Sequence, residues 1–210
     1  MTDLVFQADA APPRRLIVLL HGVGSSARDM AGIGEGLAQA VPGARVLVPD
    51  GFDPFDGGGA GRQWFSVRGV TPQNRTARID SVLPRLLDWI EARRGEAGLS
   101  PEAVGLFGFS QGAILSLAAA AQGYAAGAVV AAAGRLAVPV VPPTPASPGL
   151  LLLHGQADGV IPAAEGEDAA RHLAEAGYGV QIRTEPGLGH GVSPTQIRDA
   201  AAWFDATLST

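Results

Sequence analysis

Neither cysteine nor lysine occurs in the 210 residues, so all 15 basic residues are arginine. Without cysteine there can be no disulfide, no thiolate nucleophile and no cysteine-based zinc site. Without lysine there is no P-loop lysine, no Schiff-base lysine and no serine-lysine dyad. Charge is sparse at 17%, the net charge is −5, and the arginines form no basic block. A nucleic-acid partner and a polybasic membrane anchor are therefore not expected. No apolar run reaches membrane-spanning length, because the alanine-rich stretch from Ala113 to Ala133 is broken by Ser116, Gln122, Tyr124 and several glycines. The N-terminal residues show neither a basic n-region nor a long apolar h-region, so no stable membrane insertion and a cytoplasmic location are expected.

What the chain does have is apolar residues, at 47%, and length enough to bury them. The expectation is one domain over residues 1–210. Leu16–Leu20 and Arg45–Pro49 are continuous β-prone runs without alternation, which suits strands covered on both faces. Leu4–Phe6 reads as a short edge strand. Further strands are expected at 103–107, 126–131, 150–154 and 180–185. Helices are expected from Ser26 or Asp29 to about Ala40, from Gln73 or Asn74 to about Arg94 with a kink at Pro84, after the serine discussed below, at 163–176 and at 195–207. Strands alternating with helices predict an α/β fold, a mostly parallel central sheet with helices on both faces.

The chain is organised around Gly108-Phe109-Ser110-Gln111-Gly112, which joins the apolar run Val104–Phe107 to a helical stretch from Ala113. With 29 glycines in the chain, a G-x-S-x-G pentapeptide is a weak signal alone; a strand before it and a helix after it give it mechanical meaning. The chain must reverse sharply at the serine, which turns the hydroxyl out at the C-terminal edge of the sheet.

A serine hydroxyl needs an imidazole to take its proton, and the imidazole needs a third group to fix its tautomer. His21 and His154 end buried strands, and His172 lies mid-helix. His190 sits in a glycine-bounded loop between the last strand and the last helix, where it can swing over the serine, and is the expected base. Asp158 follows the strand 150–154 and gives the order Ser-Asp-His. Asp50, Asp53 and Asp56 precede the serine and would need another order. For the oxyanion of an acyl-transfer intermediate, the backbone amides of Gln111 and of Val23, in His21-Gly22-Val23-Gly24, are the expected donors.

Leu19-Leu20-His21-Gly22-Val23-Gly24, Gln63-Trp64-Phe65, Asn74-Arg75 with Arg78-Ile79, Gly108–Ala113, His154–Pro162 and Gly189-His190 together resemble the phospholipase/carboxylesterase family of α/β-hydrolases across nearly the whole chain. The resemblance is nearer to the small bacterial esterases than to the depalmitoylating enzymes, because residues 50–70 are glycine-rich and carry Arg62-Gln63-Trp64-Phe65. It implies Ser110, Asp158 and His190 as a catalytic triad and Val23 and Gln111 as oxyanion donors; acyl transfer to water through these groups is expected to need no metal or organic cofactor.

Between the strand at 126–131 and the next, only Gly134–Pro148 is available. Stiffened by Pro139, Pro142, Pro143, Pro145 and Pro148, it is too short for a lid domain. The loop 50–72 carries Phe52, Phe55, Trp64 and Phe65, which either wall the site and bind substrate or anchor the loop. The expected activity is hydrolysis of short- to medium-chain acyl esters in an open cleft. The alternatives are a thioesterase or lysophospholipase with the same machinery and, from another class, a non-catalytic binding protein. The expected partner is a small acyl ester or thioester, and the chain is expected to be a monomer or homodimer.

Overall fold

The computed structural model describes residues 3–209; Met1, Thr2 and Thr210, which fall within the single-domain and N-terminal readings above, lie outside the described residues. In chain order the elements are β1 (Asp3–Gln7), β2 (Arg15–Leu20), α1 (Ala31–Ala40), β3 (Ala44–Pro49), β4 (Asp53–Pro54) and β5 (Arg62–Gln63). They continue with α2 (Pro72–Glu96), β6 (Val104–Phe109), α3 (Gln111–Ala121), β7 (Ala128–Ala132), β8 (Gly149–Gly155), α4 (Ala163–Glu175), β9 (Val180–Glu185) and α5 (Pro194–Thr207). The main sheet has seven strands in the order β1-β3-β2-β6-β7-β8-β9. Among the described residues of this sheet only β1 runs antiparallel, on the edge beside β3; the other pairs are parallel.

The uninterrupted apolar strands sort their side chains alternately into two cores, as a pleat of period two requires. Leu16, Val18 and Leu20 of β2 and Leu150 and Leu152 of β8 face one layer, with α2, α3 and α4. Ile17, Leu19, Leu151 and Leu153 face the other, where Leu37 of α1 and Phe204 of α5 pack. Every residue of α3 is buried. Its alanines suit that position, since small side chains let the helix lie close to the sheet while α2 covers its outer side.

Two local expectations are corrected, the cap of α1 and the structure of the loop after β3. Ser26 and Asp29 do not cap α1: Ser26 Oγ donates to Asp29 Oδ2 at 2.9 Å, a 3-10 turn covers Arg28–Met30, and Met30 holds the cap position without a side-chain bond. Helix α2 carries Pro84 inside a single element, as the apolar periodicity leads one to expect. The carbonyl four residues back, on Asp80, lies on the exposed face with Pro84, open to solvent in place of the missing N–H. The loop after β3 contains the small antiparallel pair β4-β5, Asp53 opposite Gln63 and Pro54 opposite Arg62, which two-residue strands do not announce in a sequence.

Residues 134–148 form no helix or strand. They are tied down instead: Thr76 Oγ1 donates to the Ala137 carbonyl at 2.8 Å, and Val141 N to the Ala121 carbonyl at 2.8 Å. Among the described residues no lid domain covers the site. Among the described residues no helix is long and apolar enough to cross a membrane.

Candidate active site

Because β2, β6, β8 and β9 run parallel, the loops leaving their C-terminal ends meet on one edge of the sheet. Val23 follows β2, Ser110 follows β6, Asp158 follows β8 and His190 follows β9. The turn at Ser110 is strained, with φ 53 and ψ −112 for a residue that has a Cβ. The flanking glycines are required by close approach rather than by their own φ. A Cβ on Gly108 would overlap the Gly112 carbonyl, and one on Gly112 would overlap the Leu20 carbonyl of β2.

The structure brings Ser110, His190 and Asp158 into one hydrogen-bonded line. His190 Nε2 lies 2.9 Å from Ser110 Oγ, and His190 Nδ1 lies 2.8 Å from Asp158 Oδ2. The other Asp158 oxygen accepts the Val160 amide at 2.8 Å and the Ile161 amide at 2.9 Å. Burial pushes the Asp158 carboxyl up; the bonds from His190 and from the Ile161 and Val160 amides outweigh it and hold the group below its ordinary 3.8. An ionised Asp158 accepts the Nδ1–H and so leaves Nε2 free to accept the serine proton. The Phe109 ring lies beside the imidazole, centroids 5.1 Å apart.

Ser110, Val23, Gln111 and Phe65 line a cavity of about 230 Å³. Val67, Val70, Ile114 and Ile161 make its remaining walls largely apolar, and Arg75 and Arg135 also reach it. The amide of Gln111 opens α3, where helical geometry leaves it without an intrahelical acceptor. Trp64, Phe52 and Phe55 do not line this cavity. Trp64 is 1% exposed, its indole N–H donates to the His21 carbonyl at 2.9 Å, and its ring lies 5.1 Å from the His21 ring. Phe52 packs edge-on against Trp64 at 5.5 Å and carries the Arg85 guanidinium on its face at 4.0 Å. Phe55 sits over the backbone of Gly24. Of the two roles weighed for these aromatics, three anchor the loop beneath the site and Phe65 faces the cavity.

Two side chains gain a role that position alone did not suggest. Gln111 Oε1 accepts the Trp64 amide at 2.8 Å while its Nε2 donates to the Phe65 carbonyl at 2.8 Å, so the residue after the serine clamps the neighbouring loop. His21 is fully buried, and its Nε2 accepts the Gly51 amide at 2.7 Å. The proton must then sit on Nδ1, which donates to the Gly22 carbonyl at 2.7 Å. Since the peptide unit is planar, pinning that carbonyl also fixes the plane that carries the Val23 N–H. Burial holds the His21 pKa below 6.5, against the upward pull of the Gly22 bond. The signal available in the sequence was a glutamine following the serine and a histidine ending a buried strand. Elsewhere, His154 is buried with Nε2 2.8 Å from the Ile161 carbonyl, and His172 is exposed on α4. Among the described residues no group of three or more His, Asp or Glu side chains could hold a metal ion.

A strained serine between a parallel strand and a buried helix, met by histidine and aspartate from later loops on the same sheet edge, defines a serine hydrolase of the α/β-hydrolase fold. The sequence model of the phospholipase/carboxylesterase family matches residues 1–208, and the chain belongs to that family. It is similar to esterase YpfH of Escherichia coli, 37% identical over 93% of this chain and 84% of the other. It is also similar to acyl-protein thioesterase 1 of Saccharomyces cerevisiae, 24% identical over the full length of both. The crystal structure of esterase PE8 superposes with a TM-score of 0.89 at 26% identity, covering 99% of each chain.

Proposed function

We propose that the protein hydrolyses short- to medium-chain acyl esters, with Ser110 as nucleophile, His190 as general base and acid, and Asp158 orienting the imidazole. Ser110 Oγ attacks the ester carbonyl carbon as its proton passes to His190 Nε2. The C–O bond breaks and the alcohol leaves with that proton, giving an acyl-serine. Water, deprotonated by the same nitrogen, then attacks the acyl carbon and returns the free acid and the serine hydroxyl. The backbone amides of Val23 and Gln111 receive the oxyanion in both steps.

The observation that carries this reading is the unbroken line Ser110–His190–Asp158, at 2.9 Å and 2.8 Å. The small apolar cavity and the tethered 134–148 segment support the limit on acyl length. A series of ethyl esters of increasing acyl length, with Ser110→Ala as blank, tests it. The highest kcat/KM is expected at short to medium chains; a sharp optimum at long chains with activation by a lipid interface would contradict it. The same groups would serve a thioester, and similarity to a protein named as an acyl-protein thioesterase makes that the second reading. Paired ester and thioester substrates with one acyl chain separate the two. One sheet shared by both apolar cores further supports a single domain.

A further inference from the structure

The mechanism above leaves two cationic side chains at the cavity unused. Arg75 and Arg135 line the same cavity as Ser110. Other arginines of the surrounding loops are committed to the fold: Arg62 donates to the Gly51 and Phe52 carbonyls, and Arg78 donates to those of Ser66 and Arg68. Arg135 pairs with Glu165 at 3.1 Å. Among the described residues the half-buried Arg75 guanidinium makes no hydrogen bond and no ion pair. One positive charge is therefore uncompensated beside an otherwise apolar cavity.

Its place in the chain makes this more telling. Arg75 lies in the first turn of α2, which holds no acidic residue and is already capped by Thr71 and Asn74. A cation there opposes the helix dipole, so helix stability does not account for it. Burial and the neighbouring charge of Arg135 draw the Arg75 pKa below its ordinary value, against the weaker upward pull of Glu165.

We propose that Arg75, assisted by Arg135, receives an anionic group of the substrate, a carboxylate or phosphate carried a short chain away from the scissile carbonyl. The guanidinium fork matches both groups in a bidentate manner. The proposal rests on the reading of Ser110 as nucleophile and narrows the substrate to esters with a second, charged end.

Two matched pairs test it by pH-stat titration: ethyl valerate against monoethyl glutarate, with the charge on the acyl side, and propyl acetate against 2-phosphoethyl acetate, with the charge on the alcohol side. The readout is the charged-to-neutral ratio of kcat/KM within each enzyme, so that general damage cancels. In at least one pair the wild-type ratio is expected to exceed that of Arg75→Gln by about tenfold, with Arg75→Lys between them. The responding pair identifies the anion and its side. Equal ratios in wild type and Arg75→Gln for both pairs would overturn the proposal.

Should Arg75→Gln fail to fold, wild type alone decides. Glutarate or inorganic phosphate is expected to inhibit ethyl valerate hydrolysis at least about tenfold more strongly than neutral glutaramide; equal inhibition overturns the proposal. If wild type hydrolyses none of the four esters above the Ser110→Ala background, the esterase reading itself fails and takes this inference with it. Turnover of the neutral esters without discrimination at Arg75 removes this inference alone.

Discussion

The side-chain amide of Gln111 spans the backbone of Trp64, accepting its N–H at 2.8 Å and donating to the next carbonyl, on Phe65, at 2.8 Å. The residue that follows the candidate nucleophile thus holds the loop that supplies a cavity wall. Gln111→Leu keeps the volume and removes both bonds, leaving a buried donor and a buried acceptor without partners. Stability is expected to fall by about 2–4 kcal/mol, read as a lower urea midpoint at unchanged slope. An unchanged midpoint would mean that the clamp contributes nothing.

His21 acts one layer behind the Val23 amide by holding the Gly22 carbonyl. His21→Ala is expected to lower kcat with little change in KM, by less than the roughly 100- to 1,000-fold loss seen when an oxyanion donor is removed outright. Steady-state kinetics on one ester check the split; a change confined to KM would point to substrate binding instead.

The same histidine carries a pH signature. Its folded pKa lies below 6.5, so between the two values the unfolded chain binds a proton that the folded chain does not. Its contribution to stability is present above 6.5 and is lost as pH falls through the lower folded value. Urea midpoints of wild type should therefore decline as pH drops below 6.5, and those of His21→Asn should decline less. Parallel curves would contradict the assignment of a buried, neutral His21.

Asp158 titrates in a separate window. Held below 3.8 by its three donors, it stabilises the folded chain above that value, and the stabilisation is lost as pH falls through the folded pKa. Asp158→Asn keeps the shape but cannot favour the Nδ1–H tautomer of His190. A fall in kcat on the order of 10,000-fold is expected, measured against wild type on the same ester. A loss below tenfold would show that another group orients the imidazole.

Gly112 packs its Cα against the carbonyl of Leu20, so any Cβ there forces β2 and α3 apart. Gly112→Ala is expected to cost roughly 1–3 kcal/mol and to slow acylation of Ser110. Full stability together with wild-type acylation would show that the turn tolerates more space than its geometry allows.

How far the sequence could be read follows the same physical divide. The covered strands declare themselves as unbroken apolar runs, and the serine turn declares itself through two glycines whose Cα atoms touch neighbouring backbone. The start of α1 was less legible, because it depends on which of a few neighbouring polar groups bond one another. The aromatic loop was the least legible. Phe52, Phe55, Trp64 and Phe65 have similar composition signals, yet of the four only Phe65 faces the cavity; their neighbours are Arg85 for Phe52, Gly24 for Phe55, His21 for Trp64 and Gln111 for Phe65, all far away in sequence. Arg75 and Arg135, 60 residues apart, carry no motif that would mark them as neighbours.

The most direct test of the account is acylation of the intact protein by a fluorophosphonate, followed by mass spectrometry of the peptide containing residue 110. One adduct on Ser110 is expected in wild type, none in Ser110→Ala, and strongly slowed labelling in His190→Ala. A folded wild-type protein that stays unlabelled, or an adduct that persists in Ser110→Ala, would contradict the assignment of Ser110 as the activated nucleophile.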